Sequence, residues 1–492
     1  MSRTSQFRIL VALTIAWAAW AGWSLLSRTT PYELMILDDL GTPVAAANVD
    51  EGGVQVGRSG EDGRVNLEWR SESVLEVSAP GYIARMRTVA ERPDGVVNVV
   101  LTARVFRGRV TDPEGQPVAS TRVKSGAGEG VSDADGRVSI RGAETGTMEV
   151  HRPAWLPTTF EWDGGPGESE IVVEPFVARA VHIAGEAVRD RYTEFLDMAG
   201  STELNAVMID LKDESGLVWY RTTNPLALKI SANADAYDLA DTVSAAHARD
   251  LYVIGRIVLF TDPIAAIREP SLAVWDTATN APFVYNRQYF LDPTDPEARQ
   301  YGLDLAVEAC ASGVDEIQFD YIRFPDRRPE SVRFDGGVSA ETRLSTVNAF
   351  LSDAVEQLHP LGCAVGADVF AAIARPGGAE DTQGVGQNWE QIAAIVDVIS
   401  PMIYPSHYEG GWYGFQNPNA HPGPMATAAL TDGMGRLSHN VIVRPWLQDF
   451  GSTYGVAEVR AQIDSTEAFG LGWMLWNSVS NVTVDALKPA SS

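Results

Sequence analysis

Cysteine, basic residues and histidine are all scarce in this chain of 492 residues. Its two cysteines are too few for a disulfide-rich secreted scaffold or a cysteine zinc cluster. Lys and Arg number 38 against 65 Asp and Glu, and the net charge of −27 repels nucleic-acid phosphates and anionic lipid. The seven histidines lack metal-binding spacing, and we find no glycine-rich nucleotide loop or serine nucleophile elbow. We therefore expect no nucleic-acid partner, no metal and no organic cofactor.

The hydrophobic fraction of 45% is ordinary for a globular protein, and the length suggests about three domains. Cys310 falls just before one predicted strand, and Cys363 falls at the start of the next. Two interpretations stay open: a disulfide, or two buried free thiols.

An uncharged apolar run occupies residues 9–26, preceded by Arg3 and Arg8 and followed by acidic residues. Its 18 residues suffice to span a bilayer as a helix, with the N-terminus inside. A cleaved signal peptide is the alternative, although the run contains three Trp and no clear A-x-A site follows. We assign residues 1–29 to a membrane anchor or signal segment, which predicts a periplasmic or extracellular location for the rest.

Residues 30–175 contain one β-rich unit twice. The first copy has GTPV, EDGRVNL and LEVSAPGY, and the second has GQPV, DADGRVSI and MEVHRPAW in the same order. From Gly63 to Pro80 and from Gly136 to Pro153 the interval is 17 residues. Asp-Gly turns between short alternating runs are typical of hairpins. The pattern predicts two small all-β sandwiches, at 30–102 and 103–176.

This repeated pattern resembles carboxypeptidase-regulatory-like domains, which are transthyretin-like sandwiches. The second copy departs from it, with Pro-Ala-Trp where the first has Pro-Gly-Tyr. The resemblance implies a spacer that holds the next domain away from the membrane, or a module that binds glycan or protein.

From about residue 177, strand-like runs alternate with helix-like segments, which predicts a parallel sheet. One such helix is predicted at 296–313. We place eight strands, at 180–184, 205–212, 251–260, 314–324, 363–370, 396–404, 441–450 and 470–477. Eight βα units match a (β/α)8 TIM barrel, assigned to 177–488.

The barrel predicts where the side chains of the fourth strand point. Ile317 and Phe319 should face the helices, and Glu316, Gln318 and Asp320 should face the barrel axis. We expect further polar or aromatic residues to point inward near the C-terminal ends of the other strands: Asp210, Arg256, Asp368, Tyr404, Gln448 and Trp476. Active sites of TIM barrels lie at that end.

The segments TELNAVMIDLKDESG, GVDEIQFDYIRFPD, ISPMIYPSHY, RPWLQDF and GWMLWN resemble a TIM-barrel family, the putative glycosyl hydrolases first catalogued as a domain of unknown function. The resemblance covers nearly all of 177–487. It implies a TIM barrel and a glycosidase activity.

Glycoside hydrolysis requires two carboxyl groups, one as acid and one as base or nucleophile. We choose Asp320 and Asp368 as the catalytic pair, because they end adjacent strands. Arg323, close to Asp320, could hold that carboxylate ionised. The alternative is that Asp320 and Arg323 form an ion pair that only shapes the mouth, and that Asp368 anchors a loop.

Other residues are candidates for binding sugar, since carbohydrate sites combine aromatic faces with polar groups. Asp210 and Asp449 are also reserve carboxylates, and Arg256 is a charge partner or a ligand. Lys212 is either a ligand or one half of a solvated pair with Asp213. The full set of binding candidates is Asp210, Lys212, Arg256, Tyr321, Arg323, Tyr404, His407, Trp446, Gln448, Asp449 and Trp476.

The resulting hypothesis is a glycoside hydrolase that acts on an envelope or extracellular polysaccharide. The alternative is a catalytically inactive carbohydrate-binding or scaffolding protein of the envelope, because fold alone does not decide activity.

Overall fold

The computed structural model describes residues 30–69, 71–376, 384–437 and 440–490. The predicted anchor or signal at 9–26 lies outside these residues. Among the described ranges, no helix combines the length and apolar character that a bilayer span needs. The chain forms two compact units: the first contains the described residues up to Arg152 and Leu156–Glu174, and the second contains Pro153–Trp155 and the chain from Pro175 onward.

The first copy of the repeat is a sandwich of two four-stranded sheets, which confirms the all-β prediction for this region. The strands of one sheet, in spatial order, are Arg64–Trp69, Thr30–Asp38, Val97–Ala103 and Tyr82–Ile83. Those of the other are Val54–Arg58, Asn48–Glu51, Ser73–Ser78 and Arg85–Val89. Alternate apolar side chains fill the core between the sheets, among them Leu34, Ile36, Val49, Val77 and Leu101.

The second copy is also a two-sheet sandwich. Its four-stranded sheet contains Gly128–Val131, Arg122–Ser125, Gly146–His151 and Thr158–Trp162. Its three-stranded sheet contains Arg137–Arg141, Val105–Thr111 and Glu168–Val172.

The glycines of the two Asp-Gly turns show why the repeat retains this dipeptide. Gly63 and Gly136 both have a φ of 74°, in the left-handed region that glycine tolerates. A Cβ atom on Gly63 would lie 2.5 Å from the carbonyl oxygen of Ile36, and one on Gly136 would lie 2.3 Å from that of Val110. Both copies therefore need a residue without a side chain at the same point.

The second unit is a closed barrel of eight parallel strands, as predicted. They are β1 (Arg179–Ile183), β2 (Ala206–Lys212), β3 (Tyr252–Val258), β4 (Glu316–Asp320), β5 (Ala364–Phe370), β6 (Val398–Ile403), β7 (Ile442–Val443 and Trp446–Gln448) and β8 (Trp473–Trp476). Neighbours in sequence pair side by side, and β1 also pairs with both β2 and β8, which closes the barrel.

Helices connect and cover these strands. Their bounds are Gly185–Ser201, Pro225–Lys229, Leu239–His247, Pro263–Arg268, Pro296–Ala311, Ala340–Leu358, Trp389–Ala393, Pro422–Met434 and Val456–Glu467. The predicted helix at 296–313 is thus confirmed, and the Asp295 side chain caps it by accepting hydrogen bonds from the backbone of Glu297 and Ala298.

Short strands lie outside the barrel, at Val218–Tyr220, Asn233–Tyr237, Trp275–Asp276, Ala281–Pro282, Val284–Tyr285, Gln288–Tyr289 and Val332–Arg333. Short 3-10 helices occupy Pro270–Leu272, His359–Leu361, Ala371–Ala374, Pro405–His407, Trp412–Gly414, Pro418–Ala420 and Val484–Ala486.

The alternation predicted for β4 is confirmed. Phe319 points outward and meets Phe350 of the helix Ala340–Leu358, with ring centroids 4.9 Å apart. Glu316 points inward and accepts hydrogen bonds from Arg444 of the β7 region at 2.8 and 3.0 Å. Since side chains alternate along a strand, Asp320 shares the inward face with Glu316 and lies nearer the C-terminal end.

Cys310 and Cys363 form a disulfide, with Cα atoms 5.8 Å apart. The bond joins the end of the helix Pro296–Ala311 to the start of β5. Of the two interpretations left open by the sequence, the structure contains the disulfide.

Candidate active site

A cavity of about 590 Å³ opens at the C-terminal end of the barrel strands. Charged and aromatic side chains dominate its wall, and they come from the ends of most strands and from the loops that follow them. The lining residues are Glu214, Arg256, Asp320, Tyr321, Arg323, Asp326, Phe370, Ala371, Ala372, Met402, Tyr404, His407, Tyr408, Glu409, Trp412, Trp446 and Trp476. This is the end of the barrel where the strand pattern predicted a site.

Arg256, in β3, is the central charge of this cavity and is fully buried. Its Nη2 and Nε donate to Asp320 Oδ2 at 2.6 and 3.1 Å, and its Nη1 donates to Asp210 Oδ1 at 2.8 Å. The same Nη2 also donates to Glu214 in the loop after β2. The guanidinium lies over the ring of Trp476, 4.6 Å from its centroid. One arginine thus orients three carboxylates from three parts of the chain.

Asp210, in β2, lies between His182 and Arg256. His182 Nε2 of β1 lies 3.0 Å from Asp210 Oδ2, and Arg256 binds the other oxygen. Burial raises the pKa of Asp210, but His182 and Arg256 outweigh burial, so its pKa lies below the usual range. Asp210 is therefore an ionised carboxylate beneath the cavity, and it does not line the wall.

Asp368, in β5, has the opposite electrostatic character. Its Oδ1 accepts hydrogen bonds from Gln318 Nε2 at 2.6 Å and Trp446 Nε1 at 2.7 Å. Its Oδ2 is buried and has no hydrogen-bond partner among the described residues. Burial, with the nearby charge of Asp320, raises the pKa of Asp368 well above its usual range. The raised pKa favours the protonated form of the carboxyl, and Oδ2 is the oxygen free to hold the proton.

Asp320 and Asp368 occupy corresponding positions on neighbouring strands. The register pairs Phe319 with Ala367, so each aspartate follows a paired residue on the same inward face. Adjacent strands lie about 4.8 Å apart. Asp320 lines the cavity whereas Asp368 lies just beneath its wall. The structure brings the two predicted catalytic residues together, and their roles stay predictions.

Tyr321 shows backbone strain beside Asp320. Its φ of 52° is in the left-handed region, which a bulky residue rarely adopts. In this conformation the Tyr321 amide donates to Asp320 Oδ1 at 2.7 Å. Strain of this kind clusters at functional sites, because the surrounding structure must maintain it.

Arg323 lines the cavity but does not pair with Asp320, contrary to our expectation. Its guanidinium carbon lies 5.0 Å from the ring centroid of Tyr321 and 4.8 Å from that of Phe370. Its charge partner is Asp326, at 3.8 Å. Arg256, from a strand distant in sequence, holds Asp320 instead.

The loop after β6 supplies one aromatic wall. The ring centroids of Tyr408 and Trp412 lie 5.2 Å apart, and those of Tyr404 and His407 lie 5.3 Å apart. Burial lowers the pKa of His407, which favours its neutral form. The rings of Trp446 and Trp476, 5.3 Å apart, complete the wall on the side of β7 and β8.

Besides Asp210, three predicted binding residues do not reach the cavity. Gln448 accepts from the Ser406 amide at 3.0 Å, and Asp449 accepts from the Thr483 hydroxyl at 2.6 Å, so both hold loops together. Lys212 is almost fully buried, and its side chain points away from the barrel axis.

Lys212 also corrects the expected solvated pair with Asp213. Its ammonium binds Asp262 at 3.0 Å and the carbonyl oxygen of Val258 at 2.7 Å. The register of β2 against β3 shifts between Asp210 and Lys212, which pairs Lys212 with the outward-facing Ile257. One extra residue in the strand reverses the face on which the lysine lies.

Glu214 is a site residue that sequence reasoning missed. It follows β2 in the stretch LKDESG, where alternation no longer predicts direction. It lines the cavity and binds Arg256. Glu409, beside the predicted aromatic residues of the β6 loop, was missed for the same reason. Among the described ranges, no group of three or more His, Cys, Asp or Glu is arranged to hold a metal ion.

A family of known proteins matches most of the chain. The sequence profile of a family described as "putative glycosyl hydrolase domain" matches residues 180–482. No curated protein matches the sequence.

Three solved structures illustrate the similarities found. A hypothetical protein from Ruminiclostridium thermocellum is 34% identical over 38% of this chain and 97% of its own, with a TM-score of 0.35. The glycoside hydrolase domain of PgaB (BpsB) from Bordetella bronchiseptica is 12% identical over 64% of this chain and 100% of its own, with a TM-score of 0.46. That of PelA from Pseudomonas aeruginosa is 10% identical over 62% and 96%, with a TM-score of 0.36.

Proposed function

Because the chain belongs to the family of putative glycosyl hydrolase domains, we propose that its barrel hydrolyses glycosidic bonds in an envelope or extracellular polysaccharide. The observation that supports this most directly is the pair of unlike carboxyl groups at the cavity. Asp320 is ion-paired to Arg256 in the wall, and the raised pKa of Asp368 on the neighbouring strand favours its protonated form. Glycosidases divide acid and base work between carboxyl groups whose environments differ in this way.

In the proposed reaction, Asp368 supplies the proton and Asp320 acts on the sugar. The Oδ2 proton of Asp368 passes to the oxygen of the leaving group through a bridging water, since Oδ2 is buried and Asp368 does not line the cavity. As the glycosidic C–O bond breaks, Asp320 either attacks the anomeric carbon or takes a proton from the water that attacks it. In the first case water, activated by the deprotonated Asp368, then hydrolyses the glycosyl ester on Asp320 and returns the proton to Asp368. Arg256 keeps Asp320 in position through two hydrogen bonds to Oδ2. Aromatic rings of the wall stack on the sugar faces.

Substituting Asp368 with Asn tests this division of roles. An amide cannot donate the acid proton, so we expect turnover of an oligosaccharide with a poor leaving group to fall roughly 10²- to 10⁴-fold. Aryl glycosides with good leaving groups need little acid assistance and should lose far less. Release of reducing ends and of the aryl group measures both rates.

Glu214→Gln is the matched control, because Glu214 lines the cavity and also lies close to Arg256. Its rate loss should not depend on the leaving group. If the dependence appears in Glu214→Gln and is absent in Asp368→Asn, Glu214 is the acid. If both variants and the wild type bind saccharide and none cleaves any, the protein is a carbohydrate-binding or scaffolding protein.

The raised pKa of Asp368 also predicts how stability changes with pH. The folded protein retains this proton above the pH at which the unfolded chain loses it. Stability therefore falls as pH rises from the unfolded pKa towards the folded pKa. The amide introduced by Asp368→Asn imitates the neutral carboxyl. This variant should therefore remain folded at pH 7 and should lack this part of the pH dependence in denaturant unfolding.

We further propose that the barrel works outside the cytoplasm, held by the segment at 9–26, with the two sandwiches as a spacer. The Cys310–Cys363 disulfide supports this location, because such bonds persist mainly in oxidising compartments. Protease added outside intact spheroplasts should digest or release the barrel. Complete protection would contradict this location.

A further inference from the structure

The cavity wall carries more negative than positive charge. Four carboxylates line it, from Glu214, Asp320, Asp326 and Glu409, against two arginines, Arg256 and Arg323. The excess of negative charge is larger than this count suggests, since Arg256 also neutralises Asp210 beneath the wall. A cavity lined by one sign of charge concentrates ligands of the opposite sign.

The most exposed carboxylates of the wall are the least compensated. Glu409 is exposed and has no ion-pair partner among the described residues. Asp326 has Arg323 at 3.8 Å, near the limit of an ion pair. Arg375 adds a positive charge beside Trp412, 4.9 Å from the ring centroid, but is not part of the wall.

Independent features of the same wall indicate a saccharide ligand. Arg323 lines the cavity with a side chain that is 11% exposed, so its guanidinium can donate to a hydroxyl group of a ligand. Glu409 lies between Tyr408 and Trp412 in sequence, and all three line the cavity. An ammonium group on a sugar stacked there would meet both a carboxylate and aromatic faces.

We propose that this cavity selects cationic saccharides, namely oligomers of hexosamines with free amino groups, over neutral or acidic ones. This inference rests on the proposed function, because it assumes that the cavity is the saccharide site. Glu409 then determines specificity, and Asp326 assists it. Uronic-acid and sulfated polymers are repelled by the same charges.

Calorimetry with the full chain, at low and high salt, measures its affinity for glucosamine hexamers and for N-acetylglucosamine hexamers. Oligomers of galactosamine and of N-acetylgalactosamine provide a second comparison of the amine form with the acetylated form. We expect the amine form to bind at least about tenfold more tightly at low salt, with the preference shrinking as salt screens the charges. Glu409→Gln should reduce the preference by about threefold or more. Glu356→Gln, an equal charge change on an exposed helix position, should leave the preference unchanged.

Failure of selection and failure of hydrolysis are distinguishable, because reducing ends are measured on the same samples. Equal affinity for both forms, or no binding of either, overturns the selection. If the acetylated hexamer is nevertheless cleaved, hydrolysis stands without it. If the amine form is preferred but never cleaved, the selection stands and the hydrolytic proposal falls.

Discussion

The Asp320→Asn variant should lose turnover by about 10³-fold or more while it remains folded and still binds saccharide. The amide can neither attack an anomeric carbon nor activate water. The fold should tolerate the change, because Arg256 retains Asp210 and Glu214 as charge partners. Single-turnover release of reducing ends, with calorimetric binding on the same preparation, separates the lost chemical step from any lost affinity.

Asp262→Asn is the matched control for this substitution. Asp262 is as deeply buried as the residues of the site, and it pairs with Lys212 at 3.0 Å, away from the cavity. Loss of the Asp262 carboxylate should lower the free energy of unfolding and leave turnover per folded molecule near that of the wild type. Near-normal turnover in Asp320→Asn itself would show that β4 does not carry the chemistry.

Replacing Arg256 with Gln should produce the largest combined loss of stability and activity. The substitution leaves Asp210, Glu214 and Asp320 without their shared cation. Breaking a buried ion pair by removing one partner costs roughly 3–5 kcal/mol. Since three carboxylates then repel one another, they should also take up protons or separate, and the position of Asp320 would be lost.

Arg444→Gln provides the comparison, because Arg444 is equally buried and binds Glu316 deeper in the barrel. We expect a comparable loss of stability in denaturant unfolding, with turnover per folded molecule largely retained. If both arginine variants lose turnover per folded molecule equally, the contact of Arg256 with Asp320 has no special role in the reaction.

The sequence predicted the barrel and the placement of Asp320 for a simple physical reason. Parallel strands of a barrel place alternate residues inside, so the polar residues Glu316, Gln318 and Asp320 could be assigned to the inward face. The eight strands could be placed because apolar runs alternated with helix-like segments.

Side-chain partners could be predicted only in part: the sequence offered Arg256 as a charge partner for a central aspartate, but did not indicate which one. The partner of Asp320 is Arg256, which is 64 residues away and reaches it only through the register of β3 against β4. Lys212 points outward because of a shift in the register of β2, which no pattern in the sequence indicated. Glu214 lies in a loop, where side-chain direction depends on the local turn rather than on alternation.

If Asp368 supplies the acid proton beside the Asp320–Arg256 ion pair, the pH dependence of kcat/KM should report its ionisation. The wild type should lose activity at high pH as the raised pKa of Asp368 is passed, because the acid then lacks its proton. With an aryl glycoside that Asp368→Asn still cleaves, this alkaline loss should disappear from the profile of the variant. An unchanged alkaline loss in Asp368→Asn would show that another group supplies the acid proton and that Asp368 does not.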